Sequence, residues 1–147
     1  MWDTSARAAF TSLLPEGHPF PAPNPDRVRG GLANDELSLL VADDGELAGF
    51  TTCGVSRDDD VGSEVGELWT FFVGPGRWRQ GIGRALMAAA LDDLRERGYA
   101  EATVWSFADN ARANAFYEAQ GFARDGAEVR EGVWADILQV RYRRPLA

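Results

Sequence analysis

The sequence predicts an α/β (α+β) fold in one domain over residues 1–147: a mixed, mostly antiparallel central sheet with helices on both faces. Three observations predict it. Short apolar stretches bounded by Gly, Pro and Asp are patterned as strands. Two other segments carry apolar residues at helical spacing, and each closes on a glycine. One of those helices stands between two apolar strands, the order of a βαβ unit, inside a set of strands that otherwise pair antiparallel. With 147 residues and 45% hydrophobic content the chain is long enough for one core.

Residues 4–14 place Ala8, Phe10, Leu13 and Leu14 at roughly helical spacing before Pro15, Glu16 and Gly17 stop them. Pro19, Pro21, Pro23 and Pro25 make residues 18–25 a loop, and Pro25 opens a short helix to about residue 32. Residues 37–42 and 46–54 form a hairpin around Asp43, Asp44 and Gly45. The acidic stretch 57–64 is a solvated loop. Residues 67–73 are apolar on both faces beyond Glu67, as a central strand covered on both sides is.

In residues 81–97, Ile82, Leu86, Ala89, Ala90 and Leu94 form one stripe and Gly98 follows the end, which predicts an amphipathic helix. Residues 102–105 are a strand. Asn110 caps a helix to about Gln120, Gly121 ends it, and residues 133–142 alternate like a final strand.

Composition excludes several function classes. The net charge of -8 disfavours nucleic acid, whose phosphates attract basic surfaces, and it suits a cationic amine. One cysteine, Cys53, and one histidine, His18, make neither a disulfide nor a local His/Cys metal cluster, so no metal is expected. Cys53 reads as a core residue and His18 as a loop residue. No apolar run reaches the roughly 20 residues of a membrane helix, and the first residues lack the order of a signal peptide. A cytoplasmic protein with no membrane partner is expected.

The residues that carry chemistry begin where the central strand ends. Val73, Gly74, Pro75, Gly76, Arg77, Trp78, Arg79, Gln80, Gly81, Ile82, Gly83 and Arg84 run from a strand through a glycine turn into a helix. The first turn of a helix presents N–H groups without intrahelical partners at the positive end of the dipole. Gly81 and Gly83 let an anion come close to that backbone, and Arg79 and Arg84 add charge. Two nucleotide motifs fail on spacing. A P-loop requires a lysine, which the chain lacks, and the dinucleotide fingerprint requires glycine where Leu86 stands.

This turn resembles the pyrophosphate turn of the GNAT superfamily of acyl-CoA-dependent N-acyltransferases, Arg/Gln-x-x-Gly-x-Gly/Ala, with Trp78 and Gln80 departing from its usual residues. A second segment, Asn110-Ala111-Arg112-Ala113-Asn114-Ala115-Phe116-Tyr117-Glu118-Ala119-Gln120-Gly121-Phe122, resembles the family's Asn-x-x-Ala-x-x-Phe-Tyr-Glu-x-x-Gly-Phe helix in the family's order and separation. The resemblance runs from about residue 67 to 122. At the N-terminus the family's usual first strand is not evident.

The resemblance implies the GNAT fold and an N-acetyltransferase that uses acetyl-CoA as cosubstrate. It implies that Arg79, Gln80, Gly81, Ile82, Gly83 and Arg84 hold the diphosphate, and that Phe71, Phe72 and Val73 hold the acetyl and pantetheine groups through backbone freed where the strand splays, helped by a bulge there. Asn110 is expected both to cap its helix and to touch the pantetheine arm. Tyr117 is expected to protonate the departing sulfur. Glu67 matches the general base of some members, with a water chain or another acid as the alternatives. The expected reaction is direct attack by a primary amine of a small molecule or peptide in a ternary complex, with Cys53 dispensable. Two other readings stay open on the sequence, a non-catalytic acyl-CoA-binding domain and a partner-binding domain. The sequence leaves the acceptor open, and a homodimer through an exposed edge strand is compatible with it.

Overall fold

The computed structural model describes residues 32–33, 35–43, 45–77 and 81–147. The helices expected at residues 4–14 and from Pro25, and the turn residues Trp78, Arg79 and Gln80, lie outside the described residues.

Six strands form one sheet in the order β1-β2-β3-β4-β6-β5. They are β1 (Leu37–Asp43), β2 (Leu47–Val55), β3 (Val65–Val73), β4 (Glu101–Phe107), β5 (Ala123–Arg130) and β6 (Leu138–Pro145). Among the described residues only β3 and β4 run parallel, joined through helix α1 (Ile82–Glu96), and the other four pairs are antiparallel. Helix α2 (Ala111–Ala119) links β4 to β5. This is the mixed, mostly antiparallel sheet that the patterning predicts.

Both helices pack on one face of the sheet. Met87, Ala90, Leu91 and Leu94 of α1 and Tyr117 of α2 share a buried cluster with Cys53, Leu68, Ala102, Val104, Val140 and Tyr142 from four strands. The period-2 alternation of strands then puts Glu67, Thr103, Trp105, Arg141 and Arg143 on the opposite face. That face is charged where β6 contributes Arg141 and Arg143, whereas β3 beyond Glu67 brings Trp69, Thr70 and Phe72 to it. The two described helices thus share one face, and the other helices that the sequence predicts lie outside the described residues.

Strand β5 is absent from the patterning, and the final strand begins later than expected. Residues 123–130 expose nearly every side chain, so there is no alternation to find. Val133 and Trp134 belong to a 3-10 turn that ends in two left-handed residues, Ala135 (φ 55) and Asp136 (φ 56), and pairing resumes only at Leu138.

The register contains one extra residue that matters for the site. In the β2–β3 ladder Thr52 faces Thr70 and the next residue, Cys53, faces Leu68, so Trp69 is a bulge in β3. Leu68 and Phe71 both reach the helical core because of it, although three residues of regular strand would put them on opposite faces.

Core packing beside this ladder is tight at Gly66, where a Cβ would stand 2.9 Å from Leu94 Cδ2 and 3.0 Å from Tyr99 Cγ. Gly66→Ala is expected to destabilise the protein by about 1–3 kcal/mol through overpacking. Leu94→Ala, at a fully buried position, is expected to cost about 2–5 kcal/mol. Both are measured as shifts of the urea midpoint at constant slope.

Candidate active site

The parallel ladder between β3 and β4 ends at Leu68↔Val104. Beyond it β3 continues to Val73 paired only with β2, while β4 continues to Phe107 paired with β6. A bulged strand bends, and the bend at Trp69 carries β3 away from β4. The two strands therefore diverge from an apex at Leu68 and open a gap in the middle of the sheet.

Backbone direction decides what lines that gap. The Gly74 N–H donates to the Ala48 carbonyl of β2 at 2.7 Å, and the Phe72 carbonyl also lies on the β2 side, 2.6 Å from where a Gly49 Cβ would stand. Because N–H and C=O alternate sides along a strand, Phe71 and Val73 direct theirs toward the gap. Phe72 does not: its backbone serves β2, and its ring packs on Phe50 at 5.5 Å between centroids. Of the three strand residues expected at the acyl group, two turn their backbone to the gap and one turns away.

Aromatic side chains connect the gap to both helices. Phe71 meets Phe116 at 5.5 Å and Tyr117 at 6.4 Å between centroids. Phe122 and Tyr142 complete the cage around the Tyr117 ring, at 6.0 and 5.9 Å. Tyr117 is buried, and that burial pushes its phenol well above the ordinary value for tyrosine. Burial thus favours the neutral phenol, the form that can donate a proton.

Asn114, one turn earlier, fixes α2 to the end of β4. Its amide donates to the carbonyls of Phe107 (3.2 Å) and Ala108 (3.0 Å), and its oxygen accepts from Ser106 at 2.7 Å. Asn110 is the N-cap, its side chain accepting from the Ala113 N–H at 3.3 Å. Sequence reading saw the cap and missed the Asn114 anchor, because a mid-helix asparagine has no pattern of its own.

The start of α1 lies against the same helix. A Cβ on Gly83 would come within 3.5 Å of the Phe116 ring. Gly81, just before α1, has φ 81, the left-handed conformation that glycine adopts without strain, and nothing stands within 4 Å of where its Cβ would be. Gly81, as N-cap, has no side chain to cap α1, and no acid occupies the first turn of the helix. Gly81, Ile82, Gly83 and exposed Arg84 thus present backbone donors, positive dipole and a cation at one end of the gap. This suits a diphosphate. Arg79 and Gln80, assigned to the same anion, lie outside the described residues.

Glu67 stands apart from these groups, on the opposite face of the sheet and one residue before the apex. It is fully buried, and both oxygens are engaged: Oε1 accepts from the Arg57 N–H (2.9 Å) and Ser56 Oγ (3.2 Å), and Oε2 from Arg57 Nε (2.9 Å) and Nη2. Arg57 was not singled out by the sequence, where residues 57–64 read as a solvated loop. That loop is instead pinned to the sheet. Asp58 accepts from Trp105 Nε1 at 3.0 Å, and the nearly buried Arg141 bonds Asp58, Asp60 and Asp125 at 3.2, 2.7 and 2.6 Å. Hydrogen bonding from Arg141 holds the Asp60 carboxyl below its usual range.

Comparison with known proteins decides the family. The model of the acetyltransferase (GNAT) family matches residues 5–122. The chain belongs to that family. A mycothiol acetyltransferase from Beutenbergia cavernae is 37% identical over 109 residues, covering 73% of this chain and 36% of that protein. A [ribosomal protein bS18]-alanine N-acetyltransferase from Escherichia coli is 35% identical over 86 residues, covering 58% of this chain and 54% of that one. The match thus spans just over a third of the length of the mycothiol acetyltransferase and about half of the second. Among solved structures, a ribosomal-protein-alanine N-acetyltransferase from Brucella melitensis superposes with TM-score 0.74 at 22% identity, covering 97% of this chain and 90% of that one. A PaiA N-acetyltransferase from Thermoplasma acidophilum in complex with coenzyme A does so with TM-score 0.69 at 14% identity, covering 97% and 86%. Both bear out the GNAT fold. No described helix is long and apolar enough to cross a membrane.

Cys53 sits in the core, and burial, with Asp93 second, pushes its thiol up to about 12. Only a thiolate is a competent nucleophile. Folded protein is expected to leave Cys53 unlabelled by a thiol reagent at pH 8, with full labelling in denaturant. Cys53→Ala is expected to retain the turnover of the parent.

Proposed function

We propose that this chain is an acetyl-CoA-dependent N-acetyltransferase acting on the primary amine of a small molecule or peptide by direct attack in a ternary complex. The observation that carries this reading is the gap beyond Leu68↔Val104, with the Phe71 backbone on one wall, Tyr117 behind it and the glycine-led start of α1 at its end. Family membership and the names of the relatives support it.

Acetyl-CoA supplies the acyl group already activated as a thioester. The N–H groups of Gly81, Ile82 and Gly83, with Arg79, Gln80 and Arg84, bind the diphosphate. Phe71 and Val73 hold the pantetheine and acetyl groups by backbone hydrogen bonds, and an N–H from Phe71 steadies the carbonyl oxygen as charge builds on it. Phe72 contributes its ring on the acceptor side, and Asn110 touches the pantetheine arm. When the amine nitrogen bonds to the acyl carbon and the C–S bond breaks, Tyr117 gives its proton to sulfur. The proton shed by the amine passes to Glu67, directly or through water.

A non-catalytic acyl-CoA-binding domain is the second reading, and the full engagement of Glu67 by Arg57 favours it. Stabilisation by acetyl-CoA with no turnover on any member of an amine panel would support that reading against ours.

Tyr117→Phe tests the assignment. We expect kcat to fall about tenfold to thousandfold, the range of lost acid catalysis, while the Kd for acetyl-CoA stays within about twofold. Because burial raises the Tyr117 pKa above the ordinary 10.0, the parent's kcat is expected to show no loss from phenol ionisation up to pH 10. An unchanged kcat in Tyr117→Phe would remove Tyr117 from the chemistry.

A further inference from the structure

A fully buried carboxylate keeps its charge only where a cation or several donors replace the water it has lost. At Glu67 two walls of such a seat belong to β3: the carboxylate itself and the ring of Trp69, whose Nε1 is fixed on the Val55 carbonyl at 2.7 Å. The cation comes from elsewhere. Arg57, on the loop between β2 and β3, lays its guanidinium 4.7 Å from the centre of the Trp69 ring and bonds Glu67. Its side chain is 34% exposed, so the seat is open to solvent on its outer side.

The other acids of that loop do not share Arg57. Asp58 and Asp60 are held by Arg141, and Asp58 also by Trp105. The guanidinium is therefore held by one carboxylate and one aromatic face, next to the point where β3 leaves β4 and on the face opposite Tyr117.

We propose that Arg57 is an internal occupant of the seat that receives the acceptor, and that the ammonium group of a protonated primary amine displaces it, taking Glu67 as counter-ion and Trp69 as its cation–π face. This rests on the acetyl-transfer reading of the gap. Free alkyl amines are cations near neutral pH, so the species to be recognised first is the ammonium. Exchanging one cation for another keeps Glu67 neutralised throughout, which avoids the heavy cost of an unpaired buried charge. An ammonium also offers up to three N–H donors, enough to replace the Nε and Nη2 bonds of the guanidinium. The same exchange reconciles a general base with a carboxylate that is already paired: once the ammonium has taken the place of Arg57, Glu67 accepts its first proton to leave the neutral nucleophile and relays it to water, and is then free to take the second proton, shed as the amide forms.

Arg57→Ala empties the seat. Its melting temperature is expected to fall by about 10 °C. Millimolar n-butylammonium chloride is expected to restore part of that loss in a saturable way, tetramethylammonium, which has no N–H, less, and sodium chloride none. The parent protein, with the seat filled, should show no such response at the same concentrations, and Arg57→Ala/Glu67→Gln should have lost it. Arg57→Lys keeps a cation but only a point contact, so its KM for the amine acceptor is expected to fall about threefold to tenfold with the Kd for acetyl-CoA unchanged.

Equal responses to butylammonium in Arg57→Ala and in the parent would overturn the proposal. So would an Arg57→Lys KM that is unchanged or raised, and that measurement decides alone if Arg57→Ala does not fold. The cation response is read without any acyl donor. Failure of the parent to bind acetyl-CoA would therefore sink the acetyl-transfer reading while leaving the seat to be judged on its own result.

Discussion

The site depends on one extra residue in a strand. Trp69 breaks the β2–β3 register immediately after β3 and β4 stop pairing. The bulge acts in two ways at once. It bends β3 away from its parallel neighbour, which opens the gap, and it shifts the alternation so that Phe71 and Val73 keep their side chains on the helical face while their backbone groups turn to that gap. A regular strand would close against β4 and point Phe71 at the other face, away from Tyr117.

The sheet that contains this gap has two chemically different faces. On the helical side an apolar cluster and a cage of aromatic rings fix Tyr117, and burial favours its neutral form. On the other side, charged residues are held in pairs: Arg57 with Glu67, Arg141 with Asp58, Asp60 and Asp125, and Arg143 with Glu101. Of these groups Glu67 and Arg141 are buried, and removing a partner from a buried ion pair costs far more than the pair gains over apolar packing. A gap through the sheet joins the two faces. A thioester donor anchored at the start of α1 and an amine arriving from the charged face can meet there without either crossing the core.

What the sequence made legible is what has a period or a punctuation mark. The stripe of α1, the Asn110 cap, the hairpin at Gly45 and the glycine turn at Gly81 each have a local cause, and the structure has them within a residue or two. Strand β5 was illegible because an exposed edge strand, Ala123–Arg130, has no buried face to impose alternation. The bulge at Trp69 was expected two residues later, around Phe71–Val73, since nothing in Leu-Trp-Thr-Phe says which residue is the extra one. The charged face of the sheet was missed because Arg141 and Arg143 of the last strand find their acids 81 and 42 residues earlier, at Asp60 and Glu101. Arg57 was missed for a different reason: its partner is ten residues away on the next strand, and loop arginines have no pattern that announces a buried carboxylate.

The central claim is that the parting of β3 from β4 is where a thioester is held. A crystal structure of the protein grown with acetyl-CoA measures this directly. The account predicts the diphosphate on the N–H groups of Gly81 to Gly83, the sulfur between Phe71 and Tyr117, and the acetyl oxygen within hydrogen-bond distance of the Phe71 N–H. Clear density for the ligand anywhere other than between these two strands, with the gap left to solvent, would contradict it.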